Sequence, residues 1–393
     1  MDAASRPASV DSLLVNAGRE HGRSAISVNP PVHRASTYLF ETLADFETAS
    51  KTPFDGPFYG RVGTPTTFAF EQAVCALEGG HRTIATSSGV AAIGAALLAF
   101  LDRGDHVLVV DTVYEPVRRF CNRMLSRLGI ETTFYDPAAG ADIASLVRPN
   151  TRVIYLESPG SGTFEMQDLR AIVAVARERG LRTIIDNTWA TPVFLQPLSL
   201  GIDVSVQSAT KYIVGHSDAM LGTVTTTAET YDAVRRSTQD LGACAGSEEC
   251  NLGLRGLRTL GVRLRRHEAS ALTLAAWLEN QPQVARVLHP GLPSFPGHAL
   301  WKRDFSGACG LFSVELLPCD TASLRAMVDG LSHFGIGFSW GGYESLVLPV
   351  HPETRQIARW DGQGPVLRLH VGLEAVEDLR DDLAEGLARL RSA

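Results

Sequence analysis

The six cysteines, Cys75, Cys121, Cys244, Cys250, Cys309 and Cys319, form no CxxC pair. Their scatter argues against a zinc ribbon or a disulfide framework and suits a reducing compartment. No HExxH or other paired Cys/His ligand spacing occurs, so no metal is expected. There is no GxSxG elbow, and the three consecutive residues His216, Ser217 and Asp218 cannot aim at one point, which removes a hydrolase triad. The stretch "GIGFSWGG" fails the GxGxxG spacing and lies far from the first strand, so it is no dinucleotide loop. No apolar run approaches membrane-spanning length, and "MDAASRPASVDSLL" lacks the apolar core of a signal peptide; a cytoplasmic protein is expected, with no membrane partner. Positive charge is not in excess. With 36 Lys and Arg against 43 Asp and Glu, the net charge of −7 disfavours a nucleic-acid partner.

What is present is an ordinary globular composition, 45% hydrophobic and 20% charged, in 393 residues, a length that predicts two domains. Residues 1–62 are rich in Pro, Gly, Ser and Thr and read as an irregular arm with little helix of its own. Residues 63–257 read as an α/β domain. The runs "DHVLVVD", "RVIYLES", "LRTIIDN" and "IDVSVQS" are buried strands, and "DLRAIVAVARERG" is an amphipathic helix with Asp168 as N-cap and Gly180 as its stop. This alternation predicts a parallel sheet covered on both faces. A long helical stretch, interrupted by glycines, is expected from about 247 to 280. Its arginine-rich part, "RGLRTLGVRLRRHEAS", reads as a solvated helix face. Residues 258–393 are expected to form a smaller α+β domain with strands "LFSVELL" and "VLRLHVG" and a closing helix "VEDLRDDLAEGLARL".

Ligands of an open parallel sheet sit beyond the carboxyl ends of its strands. The residues there are Ser87–Gly89, Tyr114, Glu157–Pro159, Asp186–Trp189 and Ser208–Lys211. A buried lysine, a strand-end aspartate, a tyrosine, hydroxyls and a glycine opening a helix together match what pyridoxal phosphate (PLP) needs. Its aldehyde takes an amine, its ring nitrogen an acid, its ring a flat neighbour, and its phosphate hydroxyls and free N–H groups. Each signal is weak alone. Lys211 could simply start a helix in solvent, Asp186 could be an N-cap, and Gly89 could follow a serine cap.

Longer motifs sharpen this reading. "FYGRVGTPT", "GDHVLVVDTVYEP", "YLESPGS", "IDNTWATP", "SATKYIVGHSDAMLGT", "LRGLRTLGVRL", "SWGGYESL" and "RLHVGLE" occur in the order found in the cysteine/methionine-metabolism family of PLP enzymes. The chain resembles that family over nearly its whole length, and "VYEP" with "SWGGYES" resembles its β-acting carbon–sulfur lyases. The resemblance implies fold type I, aspartate-aminotransferase-like, with a mostly parallel seven-stranded sheet and a smaller C-terminal domain. It implies that Lys211 holds the cofactor and moves the Cα proton, Asp186 pairs with the ring nitrogen, and Tyr114 stacks on the ring. It further implies that Ser208, Thr210, Gly89 and Val90 hold the phosphate, and that Tyr59 and Arg61 reach a neighbouring subunit's site, Tyr59 also meeting its substrate. The active unit would then be a homodimer, usually within a homotetramer. Arg368, Ser339 and Trp340 would bind the substrate α-carboxylate. The implied reaction is β-cleavage of cystathionine or a related cysteine thioether. A γ-acting relative, or a lyase for another thioether amino acid, stays open, because Phe338 replaces a tyrosine often found before "SW" and Arg118-Arg119 stand where some members carry an acid. A cofactor-free scaffold is the more distant alternative.

Overall fold

The computed structural model describes residues 9–19 and 27–391. Parts of the expected arm, residues 1–8 and 20–26, lie outside the described residues. The described arm is not wholly irregular. Helices Val10–Asn16 and Leu43–Ala49 are each opened by a hydroxyl cap, Ser9 and Thr42, and Thr42 with Asp45 completes a capping box.

The large sheet has seven strands: β1 Arg82–Thr86, β2 His106–Val110, β3 Glu131–Tyr135, β4 Thr151–Glu157, β5 Arg182–Asp186, β6 Val204–Gln207 and β7 Gly222–Thr226, in the order β1-β7-β6-β5-β4-β2-β3. Only β7 runs against its neighbours; β6, β5, β4, β2 and β3 pair in parallel. The five residues of β2, "HVLVV", are all buried, as a strand covered on both faces requires. Helix Leu169–Glu178 is capped by the Asp168 carboxylate on the Ala171 N–H, and Gly180 follows at φ 66°. The sequence placed both ends correctly. Because β1 to β6 point the same way, Gly89, Tyr114, Glu157, Asp186 and Lys211 all follow strand ends on one edge.

The small sheet comprises β8 Val284–Leu288, β9 Leu311–Leu316, β10 Phe334–Ile336, β11 Ser345–Val350 and β12 Val366–His370, in the order β10-β11-β12-β9-β8. On β12, Leu367 and Leu369 join the apolar cluster that contains Leu274, Leu379 and Leu383. Alternation therefore turns Arg368 and His370 to the opposite face.

Helix Ser247–Leu278 links the two regions without interruption, so residue 257 falls inside it. The glycines do not break it. A Cβ at Gly256 would lie 2.1 Å from the Ile213 carbonyl oxygen, so glycine there permits the helix to touch the chain just after Lys211. Nor is its arginine stretch simply a solvated face. Arg263 is buried, donating to Gly256 O (2.8 Å) and Thr259 Oγ1 (3.1 Å). Arg258 donates to Leu14 O and Ala17 O, each at 2.9 Å, tying the N-terminal helix down. The carbonyls at the end of the N-terminal helix need donors, and the long Arg258 side chain reaches them. No helix among the described residues is long and apolar enough to cross a membrane.

Candidate active site

Lys211 follows β6 by one turn of loop, its backbone N–H donating to Ser208 O at 3.0 Å. Its Nζ donates to Ser339 Oγ at 2.6 Å and lies 5.3 Å from the centre of the Trp340 ring. Burial, with the Arg368 charge behind it, lowers the Lys211 pKa to about 8, opposed by Asp186. An amine so placed is readily available uncharged, as condensation with an aldehyde requires.

Asp186 ends β5. Its Oδ1 accepts from Thr188 N (2.9 Å) and Thr188 Oγ1 (2.5 Å). Burial still raises its pKa, against those bonds and the Lys211 charge. The Thr188 hydroxyl also accepts the Ser208 N–H at 2.8 Å, so one side chain ties the acid's loop to the segment leading to Lys211. Sequence reasoning did not assign Thr188 this role; the spacing D-x-T after a strand was the available signal.

Helix Gly89–Leu98 starts beside Ser208. A Cβ on Gly89 would stand 2.7 Å from Ser208 Cβ and 3.0 Å from its Cα, so only glycine fits there. Ser88 caps the Ala91 N–H, and the first N–H groups, those of Gly89 and Val90, have no intrahelical acceptor. Thr210 is engaged differently from expectation: its hydroxyl donates to Leu221 O (3.1 Å) and accepts from Leu221 N (2.8 Å), closing the Lys211 loop.

Tyr114 opens helix Glu115–Phe120. Its N–H donates to Glu157 Oε2 at 2.8 Å, and Glu157 pairs in register with Asp186 across β4 and β5. Burial raises the Glu157 pKa well above the usual carboxylate range, and the Asp186 charge adds to it. Two adjacent buried carboxyls do not both ionise readily. Asp186, with two donors from Thr188, is the one suited to keep its charge. Glu157, unassigned by the sequence, anchors the tyrosine instead. Burial also raises the Tyr114 pKa, with contributions from Asp186 and Glu157 opposed by Arg368, so its hydroxyl shares the cleft with these groups.

Arg368 reaches the same place from β12, its Nη2 donating to Ser339 O at 3.1 Å. It makes no salt bridge among the described residues, where other buried or half-buried arginines such as Arg118, Arg286 and Arg355 do. Ser339 sits at φ 83°, a left-handed conformation unusual for serine, and bonds both Lys211 and Arg368. Trp340 packs on Tyr212, ring centres 5.5 Å apart.

Some expected residues are not brought together here. Arg61 donates to Gln239 O (3.0 Å) and Oε1 (2.8 Å), and Tyr59 lies beside it, guanidinium to ring 5.9 Å. The hollow around them is lined by none of the Lys211 group. Arg118 is withdrawn from the surface, paired with Asp111 at 2.7 Å and stacked 4.1 Å from the Phe134 ring centre. Asp111 Oδ2 in turn accepts the N–H groups of Gln356, Ile357 and Ala358 at 3.0, 2.6 and 2.8 Å. Only Arg119 of that pair faces solvent, bound to Glu115 at 3.3 Å. Phe338 is almost fully exposed. Among the described residues no group of three or more His, Cys, Asp or Glu could hold a metal.

The residues fit PLP: an amine of lowered pKa, a buried acid short of a cation, and a glycine-opened helix against Ser208. The family model described as Cys/Met metabolism PLP-dependent enzyme matches residues 11–388. The chain is 48% identical to a putative cystathionine beta-lyase of Rhizobium johnstonii, covering 96% of this chain and 98% of that one. It is 45% identical to the cystathionine beta-lyase of Salmonella typhimurium, covering 97% and 98%. A solved cystathionine gamma synthase of Xanthomonas oryzae pv. oryzae superposes with a TM-score of 0.89 at 32% identity, covering 98% and 99%.

Proposed function

From the chain's membership in the Cys/Met metabolism PLP-dependent enzyme family, we propose that it is a carbon–sulfur β-lyase converting L-cystathionine and water to homocysteine, pyruvate and ammonia. The names of the relatives at 45% and 48% identity support the β-reaction. The observation that carries it is that Lys211 and Arg368, the latter in no salt bridge among the described residues, both bond Ser339, with the Asp186 charge acting on Lys211.

When bound, PLP supplies an aldehyde for amines and a ring that draws electrons from the substrate's Cα. Lys211 would hold it, with Asp186 keeping the proton on the ring nitrogen, Tyr114 against the ring, and Ser208 and the Gly89 and Val90 N–H groups at the phosphate. Arg368 would fix the substrate α-carboxylate in its planar fork, with Ser339 and Trp340 beside it. Lys211 Nζ, once free, is the base that takes the Cα proton, its lowered pKa suiting it to that task near neutral pH. Thr188 keeps Asp186 ionised, and Glu157 keeps Tyr114 in place.

The proposed protein works in the cytoplasm as a homodimer, in which Tyr59 and Arg61 complete the partner's site, within a tetramer. Its division is an arm to residue 62, a cofactor domain to 257 and a C-terminal domain from 258. Purified protein given cystathionine tests the reaction. Pyruvate with homocysteine is expected; 2-oxobutyrate with cysteine would place it with the γ-acting relatives, such as the structural neighbour.

A further inference from the structure

The turn that joins Lys211 to Arg368 is held by a residue to which the reaction gives no part. We infer that His370 is a positioning residue, its Nε2 accepting the Gly341 N–H so that the Ser339–Gly341 turn keeps the shape that aims Arg368 at the substrate carboxylate. The inference rests on the proposed role of Arg368.

The turn cannot hold itself. Ser339 lies at φ 83° and Gly341 at φ 88°, and a non-glycine residue in that region is costly by about 1–3 kcal/mol. Gly341 packs so closely on the Lys211 segment that a Cβ there would be 2.8 Å from both Lys211 C and Tyr212 N. Two side chains of β12 grip this turn from below. Arg368 Nη2 donates to Ser339 O at 3.1 Å, and Gly341 N donates to His370 Nε2 at 3.0 Å. They stand two residues apart on one strand and so share a face.

An N–H can only donate, so Nε2 must be the bare nitrogen and Nδ1 must carry the ring proton. The 3.2 Å approach of Nε2 to Gly342 O is then a contact rather than a bond. Nδ1 is buried with no hydrogen-bond partner among the described residues. Leaving that donor unpaired costs about 1–3 kcal/mol, and the opposite tautomer would instead leave the Gly341 N–H unpaired at a similar cost. Two rings pack around the imidazole: Tyr212 edge-on at 5.9 Å and His267 tilted at 5.4 Å, centre to centre. Burial drives the His370 pKa down to about 3, with His267, Arg368 and Lys211 adding to the effect, so the imidazole stays a neutral acceptor at working pH. A strand core would accept leucine at this position; the turn would not.

The test compares H370L, which fills the volume without an acceptor, with H370Q, whose side-chain oxygen can replace Nε2. Two readouts are taken on the full chain: KM and kcat of the cofactor-loaded enzyme, and amide hydrogen exchange of residues 338–343 in cofactor-free protein. For H370L the expected result is KM raised at least tenfold with kcat within threefold, and exchange at least tenfold faster in that segment alone. For H370Q both return to within threefold of the parent. Should H370L not fold, H370N, whose oxygen is too short to reach, takes its place with the same expectations. An H370L protein with parental KM and parental exchange would overturn the inference. So would H370Q and H370L impaired alike, because shape and not the acceptor would then be at issue. If the proposed reaction itself fails, the exchange readout still decides whether His370 holds the turn.

Discussion

Thr188 carries more of the site than its size suggests, since one hydroxyl donates to Asp186 and accepts from Ser208 N. Replacing it with valine removes both bonds while keeping the shape. T188V is expected to weaken PLP binding at least tenfold in a visible-absorbance titration, a loss of about 1.4 kcal/mol or more, whereas T188S retains affinity. Arg368 makes a sharper case, bonding Ser339 O and in no salt bridge among the described residues. R368K keeps the charge but loses the planar fork, and KM for cystathionine should rise at least tenfold while PLP absorbance stays unchanged. At this scale the sequence pointed to the groups proposed to react. Lys211, Asp186 and Arg368 announce themselves by position at strand ends or on an apolar strand. Glu157 and His370 did not, because each matters through a partner far away in the chain, Tyr114 and Gly341, and a hydrogen bond between distant segments leaves no local pattern; Thr188 left only the short D-x-T spacing.

Among the elements, helix Pro65–Glu78 brings two buried acids against the sheet. Glu78 Oε1 accepts from Ser205 Oγ (3.1 Å) and Gln207 Nε2 (2.7 Å) of β6, and Glu71 Oε1 accepts the Ala85 N–H of β1 at 2.8 Å. Burial raises each from the ordinary 4.5 to about 7. The unfolded chain therefore loses these protons near pH 4.5 and the folded chain only near 7. Between those values the folded state holds the extra protons, so stability falls as pH rises, by about 1.4 kcal/mol per pH unit for each group. Urea melts at pH 5 and pH 8 should show this fall in the parent and a smaller one in E78Q, which removes the Glu78 share while Glu71 and the other buried carboxyls keep theirs. The glycine of helix Ser247–Leu278 that touches Ile213 O gives a second prediction: G256A should lose at least about 2 kcal/mol, because the methyl would meet the Ile213 and Val214 carbonyl oxygens at 2.1 and 2.5 Å, backbone atoms that cannot swing aside. The strands rich in Val, Ile and Leu were legible as continuous apolar runs. Strand β7 was not, for "GTVTT" reads as polar although it is buried throughout; it pairs with the threonine-bearing "RTIAT" of β1. Their threonines satisfy one another across the pair, as Thr83 Oγ1 and Thr225 Oγ1 do at 2.7 Å.

The whole molecule leaves apolar side chains in solvent on the arm and near the cleft. Leu39 is 94% exposed, Leu43 71%, Met220 60% and Phe338 91%. Surfaces of this kind are what a second copy covers, and they accord with the proposed dimer. If Arg61 serves the partner's site, mixing inactive K211A with inactive R61A chains should restore about a quarter of parental activity, since half the dimers carry one intact site. No recovery would place Arg61 in its own subunit's service, and an R61A chain active by itself would give it no part. The account as a whole depends on which amine carries the cofactor, and the chain offers few: Lys51, Lys211 and Lys302 are its only lysines. Borohydride reduction of the PLP-loaded protein, followed by digestion and mass spectrometry, reads the attachment directly. The account predicts a pyridoxyl group on the peptide containing Lys211 and on no other; a group on Lys51 or Lys302, or none at all, would contradict it.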